Sequence, residues 1–194
     1  MAHIVLASAS PRRRELLDQI GVQYTCEPQD IDESILPNEQ AKNYVVRLAK
    51  EKAISGAKNT QLPVLGSDTC VVLNGTILSK PSSEAHAFEM LQTLSGTTHE
   101  VMTGVALCTQ QGDEQQVAAC CVTTKVTFIA LTDQQIKDYI ATGEPIDKAG
   151  SYGIQGKAAV FVDGIIGSYS NVVGLPLKET AQFLQQHRVP IWCE

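Results

Sequence analysis

Short apolar runs and helix-spaced apolar residues alternate along the first part of the chain. The run HIVLAS, residues 3–8, predicts a buried strand, and RRRELLDQIG, residues 12–21, places its apolar residues on one helical face. Ser10 is a typical N-cap residue and Pro11 suits the first helical position. We therefore expect the chain to turn from strand to helix just where three consecutive arginines follow.

The same two spacings predict the remaining elements. Residues 39–57 have helical spacing, residues 62–73 form a long apolar strand, and Asn74-Gly75 after it is a strong hairpin signal. Thr132 and Gln135 predict a capping box at the start of another helix. Further predicted elements are strands at 22–28, 99–110 and 116–131 (the last two around a turn at 110–115), a helix at 82–96, an irregular glycine-rich stretch at 144–156, strands with glycine breaks at 158–176 and a helix at 177–188.

This order of elements predicts the fold class. Strands and helices alternate early, whereas later strands meet at hairpins, which is typical of an α/β protein with a mixed, strongly twisted sheet and flanking helices. With 194 residues, 43% of them hydrophobic, the chain can bury one sizeable core or form one domain with two lobes. No linker or repeat divides it, so we expect a single domain over residues 1–194.

Composition narrows the class of protein. The net charge of −6 and the pI of about 5.2 disfavour general nucleic-acid binding. The three consecutive arginines therefore indicate a local anion-binding site, or, as the simplest alternative, a solvated helix face. The six cysteines form no CxxC pair and have no zinc-site spacing. Neither a signal peptide nor a run of about 18 apolar residues is present, so we expect a cytoplasmic protein without a membrane span.

Three charged residues stand in positions that folding alone explains poorly. Asp68 lies within the apolar strand PVLGSDTCVVL, where a buried carboxylate needs a proton or a cation; a turn aspartate beside Gly66 is the alternative. Lys52 falls on the apolar stripe of its helix, where it either extends to the edge or reaches into a cleft. Lys80 ends the strand TILSK and by itself is consistent with a solvated lysine.

Together with nearby polar residues, these charges make a coherent set for phosphate chemistry. Cationic side chains would neutralise a polyanion, hydroxyls and a helix N-terminus would bind phosphate oxygens, and two carboxylates would hold a divalent cation or activate water. The residues are Arg12, Arg13, Lys52 and Lys80; Ser8, Ser10 and the helix start at Pro11; and Glu33 with Asp68. Adjacent helical residues point about 100° apart, so we expect Arg14 to point elsewhere.

The common motifs of other hydrolases are missing. The chain has no G-x-x-x-x-G-K-[ST] loop and no G-x-S-x-G, and its four histidines are scattered. The stretch GSYGIQG, residues 150–156, contains glycines but not G-x-G-x-x-G after a strand. Neither a P-loop enzyme nor a serine hydrolase is therefore favoured.

The motifs resemble the Maf family of nucleoside triphosphate pyrophosphatases over the length of the chain. The matching pieces, in the order of the family, are LASASPRRRELL, VVRLAKEKA, LGSDT, LSKP, LSGTTHEVMTGVAL, IDKAGSYGIQG and VVGLPL. The combination of SxSPRR, GSDT and KP is specific. The sequence of the stretch IDKAGSYGIQG resembles that of the subgroup that cleaves dTTP and UTP rather than that of the subgroup that acts on 7-methyl-GTP.

The resemblance implies a fold, an activity and residue roles. It implies two lobes around a central cleft, in a fold similar to that of inosine triphosphatase, and hydrolysis between the α and β phosphates with a divalent cation (Mg, Mn or Co), as a housecleaning enzyme. Homodimers are common in the family. The implied roles are proton acceptor for Asp68, base choice for Arg12, Thr69 and Gln155, phosphate binding for Ser8, Ser10, Arg13, Lys52 and Lys80, and metal binding for Glu33 and Asp68.

Two alternatives remain open from the sequence. One is a pyrophosphatase with another base preference, for a purine nucleotide or 7-methyl-GTP. The other is a non-catalytic nucleotide-binding regulator of cell division, which would not depend on the Asp68 carboxylate. For Gln155, a solvated loop glutamine is the alternative to a base-reading residue.

Overall fold

The computed structural model describes residues 3–111 and 114–193. In these residues the strands are β1 (Ile4–Leu6), β2 (Tyr24–Cys26), β3 (Val64–Leu73), β4 (Thr76–Leu78), β5 (Thr98–Gln111), β6 (Glu114–Phe128) and β7 (Val162–Ile166). The α-helices are α1 (Pro11–Gln19), α2 (Ala41–Ala57), α3 (Glu84–Leu94), α4 (Asp133–Ile140), α5 (Tyr169–Val173) and α6 (Leu177–Gln186). Short 3-10 helices cover Glu144–Asp147, Ala149–Ser151 and Lys157–Phe161.

The strands form one mixed sheet in the order β2-β1-β3-β5-β6-β7, with β4 paired to β3. Strand β1 is parallel to both β2 and β3, while β4 and β7 run antiparallel to β3 and β6. The predicted mixed-sheet α/β class is therefore confirmed. Parallel neighbours need crossover connections, and α1 and α2 lie in the segments between β1, β2 and β3.

The chain divides into two compact units that interleave along the sequence. The first comprises the described residues of segments 1–68, 103–122 and 174–194, and the second comprises 69–102 and 123–173. Strands β3, β5 and β6 contribute residues to both units. The single domain over 1–194 stays a prediction.

The core of the first unit lies between α2 and the sheet. Small and β-branched residues dominate it, so the helix packs close to the strands. Its buried members are Val5, Ala7, Ala49, Ala53, Ala57, Val64, Ala106 and Cys108.

The core of the second unit is built around aromatic rings. Phe128 makes edge-to-face contacts with His99 and Tyr152, at centroid distances of 5.0 and 4.8 Å. Phe161 packs in the same manner on Phe128 and Tyr139, at 6.1 and 5.1 Å. Such pairs add stability beyond the area that they bury.

Several local predictions are confirmed. Asn74 and Gly75 have φ values of 50° and 81° and join β3 to β4, as a type I′ hairpin requires. Thr132 and Gln135 make both hydrogen bonds of a capping box at the start of α4. Gly112 and Asp113, in the predicted turn at 110–115, lie outside the described residues.

Two local predictions need correction. Residues 158–176 are a strand only at Val162–Ile166; they begin in a 3-10 helix and include α5 at Tyr169–Val173. Ser168 Oγ accepts a hydrogen bond from Asn171 N–H at 3.2 Å, and this cap starts a helix where the valines favour a strand. Ser10 occupies the N-cap position of α1, but its side chain makes no capping hydrogen bond.

No helix among residues 3–111 and 114–193 has the length and apolarity needed to cross a membrane.

Candidate active site

A buried lysine joins two carboxylates in the first unit. Lys52 Nζ lies 2.7 Å from Asp68 Oδ1 and 2.6 Å from Glu33 Oε1. The side chains of Lys52 and Asp68 are 9% and 13% exposed, whereas that of Glu33 is 49% exposed. Asp68 is therefore a strand residue with a cation partner and not a solvated turn residue, and Lys52 reaches inward from the apolar stripe of α2.

Two glycines, Gly66 in β3 and Gly104 in β5, allow α2 to lie very close to the sheet. A Cβ at Gly66 would stand 2.2 Å from the carbonyl oxygen of Ala49, and one at Gly104 would stand 2.1 Å from that of Val45. These distances are shorter than any van der Waals contact, so only glycine permits the approach. Gly66 and Asp68 lie on the same side of β3, because side chains alternate along a strand.

Glu33 lies in the irregular segment between β2 and α2, and α2 holds the backbone of this segment. Tyr44 Oη donates a hydrogen bond to the Glu33 carbonyl oxygen at 3.0 Å, and Arg47 Nη2 donates to that of Ser34 at 2.9 Å. Arg47 also forms a two-point ion pair with Glu39, at 2.6 and 2.7 Å. We call Tyr44, Arg47 and Glu39 the Glu33 clamp.

The Glu33 clamp was not predicted from the sequence. Its strongest contact, Arg47 to Glu39, raises the pKa of Arg47 through the hydrogen bond from the guanidinium to the carboxylate, despite some burial. The same hydrogen bond lowers the pKa of Glu39. A weak signal was available, because Arg47 and Glu51 are spaced as a helical ion pair and lie 3.4 Å apart.

Arg13 and Ser8 form a second polar group at the junction of β1 and α1. Arg13 Nη1 donates a hydrogen bond to Ser8 Oγ at 3.0 Å, and its Nε donates to the Gly174 carbonyl oxygen at 2.9 Å. Ser8 Oγ also accepts from the Ser10 N–H at 3.2 Å. Burial lowers the pKa of Arg13, and the nearby negative charges of Asp68 and Glu33 partly oppose this shift.

The three arginines of α1 differ in their surroundings. Arg12 and Arg13 are half-buried, whereas Arg14 is exposed and its Nη2 reaches the Ala9 carbonyl oxygen at 3.5 Å. Arg14 also acts electrostatically on Tyr24, a residue of β2. The exposed Arg14 thus has surroundings different from those of Arg13, which supports the expectation that it points elsewhere.

Ser67 contributes a connection that sequence analysis missed. Its Oγ is fully buried and lies 3.0 Å from the carbonyl oxygen of Gly104 and 3.1 Å from that of Gly174. The Gly174 carbonyl oxygen is the one that Arg13 also binds. The Gly174 carbonyl oxygen therefore binds both Arg13 and Ser67, the residue that precedes Asp68 in β3.

The remaining predicted residues belong to the second unit. Thr69 follows Asp68 in β3 and points to the opposite face of the strand. Lys80 is exposed just after β4, and Gln155 is exposed at a turn closed by a 3.0 Å hydrogen bond from Gly156 N–H to the Gly153 carbonyl oxygen. The structure therefore brings together Ser8, Ser10, Arg13, Glu33, Lys52 and Asp68 in the first unit, to which Arg12 also belongs.

Two carboxylates are the donors that this region offers to a metal ion. Among the described residues, no group of three or more His, Cys, Asp or Glu side chains could hold a metal. Mg²⁺ is commonly bound by one or two carboxylates together with water and substrate phosphates. Glu33 and Asp68 fit this requirement, since both carboxylates meet at Lys52 Nζ, at 2.6 and 2.7 Å.

Comparison with known proteins assigns the family. The family model described as "Maf-like protein" matches residues 3–187. The chain belongs to the Maf-like protein family. The predicted resemblance is thereby confirmed.

Close relatives within the Maf-like family carry enzyme names. A protein of Shigella sonnei (strain Ss046) named dTTP/UTP pyrophosphatase is 54% identical over 186 residues, which cover 95% of this chain and 92% of that protein. A dTTP/UTP pyrophosphatase of Escherichia coli (strain K12) is 53% identical with the same coverage.

A solved structure shares the fold of this Maf-like chain. The HAM1 protein from Coxiella burnetii aligns with a TM-score of 0.53 at 18% identity, over 96% of this chain and 100% of that one. This likeness concerns the fold alone.

Proposed function

We propose that this Maf-like protein hydrolyses nucleoside triphosphates, dTTP and UTP above all, between the α and β phosphates. The products are a nucleoside monophosphate and pyrophosphate. The observation that carries the proposal is the Glu33–Lys52–Asp68 cluster, which occurs in a chain 54% identical to a protein named dTTP/UTP pyrophosphatase.

The junction of β1 and α1 is the proposed phosphate site. The N-terminus of α1 and the backbone N–H groups there favour anions. Arg13 adds a guanidinium suited to phosphate oxygens, and its hydrogen bond to Ser8 holds it at this junction. Ser10 and Lys80 are the further phosphate-binding residues of the proposal.

Asp68 is the proposed proton acceptor. Water attacks the α-phosphorus, the bond from that phosphorus to the oxygen bridging to the β-phosphorus breaks, and the proton of the water passes to Asp68. Lys52 Nζ holds this carboxylate in place through Oδ1, at 2.7 Å. An ammonium has three N–H donors, so Lys52 can bind both carboxylates and still donate one hydrogen bond to a phosphate oxygen.

Glu33 and Asp68 are the proposed ligands of a divalent cation, with Mg, Mn and Co as candidates. Such a cation would neutralise phosphate charge and polarise the phosphoryl group. The Glu33 clamp keeps one of the two carboxylates against Lys52.

Base choice is assigned to Arg12, Thr69 and Gln155. Uracil and thymine present acceptor, donor and acceptor groups in a row, and the Gln155 amide can pair with two neighbouring groups of that edge. Cytosine presents an amine in place of one carbonyl, and such a mismatch commonly costs about 1–3 kcal/mol. We therefore expect dTTP and UTP to be preferred over CTP, ATP and GTP.

We also propose a cytoplasmic homodimer. No disulfide joins the six cysteines, as is usual in a reducing compartment. The acidic net charge of −6 argues against nucleic acid as a partner.

The test is a measurement of pyrophosphate and monophosphate release from canonical and modified triphosphates, including 7-methyl-GTP. We expect dTTP and UTP to have the highest kcat/KM. Release of orthophosphate would contradict the assigned cleavage position, and preference for 7-methyl-GTP or a purine would contradict the assigned base. Binding without turnover would favour a nucleotide-binding regulator instead.

A further inference from the structure

Gln155 reads a base in the proposed function, yet it lies at the tip of an exposed turn. A side chain can discriminate between bases only if its backbone is held in place, since a shift of about 1 Å is enough to lose such a contact. The residues on either side of Gln155 show what holds it.

Glu144 binds the segment that directly follows Gln155. Its Oε2 accepts a hydrogen bond from the Lys157 N–H at 2.9 Å, and its Oε1 accepts one from Tyr139 Oη at 2.9 Å. Tyr139 is buried in α4, where its ring packs on Phe161. The carboxylate therefore ties the Gln155 turn to a helix of the same unit.

Gly156 shows how closely the carboxylate approaches the turn. A Cβ at this position would lie 2.2 Å from Glu144 Oε1. The φ of Gly156 is −98°, which any residue can adopt, so a side chain at this position would act by displacing the Glu144 carboxylate and not through backbone strain. Burial raises the pKa of Glu144, but the hydrogen bonds from Lys157 N–H, Tyr139 Oη and Ala158 N–H, together with the charge of Lys148, lower it overall.

The other side of the turn has its own anchor. Tyr152 Oη and His99 Nε2 lie 2.7 Å apart, and both side chains are buried in the aromatic core of the second unit. Residues 152–157 are thus fixed at both ends, with Gln155 between them.

We propose that Glu144 is a positioning residue for base selection, acting through Gly156 and Lys157 on the placement of Gln155. This inference rests on the proposed function, because it takes Gln155 as the residue that reads the base. It predicts that loss of the Glu144 carboxylate changes which nucleotides are cleaved and not merely how fast they are cleaved.

The experiment compares kcat and KM for dTTP, UTP and CTP in wild type and in three variants. Glu144→Ala removes the carboxylate and all its hydrogen bonds, Glu144→Gln keeps an acceptor for Lys157 N–H, and Tyr139→Phe removes one donor. Asp138→Ala, an exposed acidic residue beside Tyr139 on α4, is the control. We expect Glu144→Ala to reduce the ratio of kcat/KM between dTTP and CTP about tenfold, mainly through KM for dTTP, which corresponds to one hydrogen bond. Glu144→Gln should restore most of the ratio, and Asp138→Ala should leave it unchanged.

A double variant links the two residues. If Glu144 acts through Gln155, adding Glu144→Ala to Gln155→Ala should change the ratio no further, because coupled residues are not additive. An equal slowing for all three nucleotides in Glu144→Ala would mean a purely structural role and would overturn the inference. If Glu144→Ala does not fold, an unchanged ratio in both Tyr139→Phe and Gly156→Ala would overturn it.

The controls separate this inference from the proposed function. A wild-type protein that cleaves neither dTTP nor UTP would refute the proposed function itself. If Gln155→Ala reduces the ratio of kcat/KM between dTTP and CTP and Glu144→Ala does not, the proposed function stands and the positioning role of Glu144 is wrong.

Discussion

Lys52 Nζ on α2 and Asp68 Oδ1 on β3 lie 2.7 Å apart, and both side chains are buried. The contact joins a helix to a strand across 16 residues of chain. The same ammonium holds Glu33 at 2.6 Å. Removing Lys52 therefore leaves two carboxylates without their shared cation, whereas removing the Asp68 charge leaves the Lys52–Glu33 pair.

Asp68→Asn should reduce kcat about 10²–10⁴-fold, the usual contribution of a general base. The change preserves size, and Lys52 keeps Glu33 as its partner, so nucleotide binding should persist. Steady-state kinetics with dTTP, together with nucleotide binding by calorimetry, measure both effects. Asp163→Asn, at an exposed position of β7, is the matched control. A near-normal rate in Asp68→Asn would show that Asp68 is not the proton acceptor.

Lys52→Met should destabilise the protein more than Asp68→Asn does. Removal of the lysine leaves the buried Asp68 carboxylate without its cation, and breaking a buried ion pair in this way costs roughly 3–5 kcal/mol. Urea unfolding gives the free energy of unfolding of both variants. Lys50→Met, on the exposed face of α2, should change it little. Equal stability of Lys52→Met and Lys50→Met would mean that the ion pair contributes nothing to folding.

Arg13→Ala should lower kcat/KM about 10- to 100-fold, because hydrogen bonds to charged groups contribute about 1.5–3 kcal/mol. Arg14→Ala should have almost no effect, since that side chain is exposed and directed toward Ala9 and Tyr24. The two variants remove the same charge one residue apart, so the comparison tests position and not net charge. Comparable losses in both would contradict the proposed phosphate site.

Activity should disappear in excess chelator and return with added Mg²⁺ or Mn²⁺, because Glu33 and Asp68 would otherwise repel the triphosphate. Arg47→Ala should raise the metal concentration needed for half-maximal rate about tenfold, since loss of a residue that orients a metal ligand typically costs about 10- to 100-fold in affinity. The reason is the hydrogen bond from Arg47 to the Ser34 carbonyl oxygen, next to Glu33. Lys42→Ala, exposed on the same helix, is the control. Full turnover in chelator would refute the metal requirement.

His99 should make the protein less stable in mild acid. Burial lowers the pKa of His99 from 6.5 to about 4. Between these pH values His99 binds a proton in the unfolded chain but not in the folded protein. Stability from this residue is fully present above pH 6.5 and is lost as the pH falls toward 4. Between pH 7 and pH 5 the loss is about 2 kcal/mol.

His99→Gln keeps a partner for Tyr152 Oη and removes the titrating ring, so its free energy of unfolding should vary less over this pH range. Urea unfolding at both pH values measures the difference. Wild type and variant differ at no other position, so the comparison isolates the effect of His99. An identical pH dependence in wild type and variant would show that His99 is not responsible.

The sequence by itself determined most of the local structure and singled out the charged residues on which the proposed site rests. Spacing and caps located α1, α2 and the Asn74-Gly75 hairpin, because these depend on residues within a few positions of one another. Asp68 and Lys52 stood out because a charge among apolar neighbours is costly unless it has a partner. Glu33 entered only as the acidic partner that completes the charge set around Asp68, and the family resemblance added Gln155; both lie in irregular segments without a periodic signal.

Only the tertiary structure decided which partners these residues have. The Glu33 clamp, the Glu144 contact with Lys157 and the pairing of His99 with Tyr152 join residues 8 to 53 positions apart. Such contacts cannot be read from the order of residues along the chain, because each segment can approach many others before the helices and strands pack. Residues 158–176 illustrate the same limit: their apolar pattern favours strands, but the Ser168 cap, itself held by Thr124 Oγ1 at 3.0 Å, starts a helix. The local pattern of apolar residues determined most helices and strands, whereas long-range packing determined which side chains surround Asp68 and which hold the turn at Gln155.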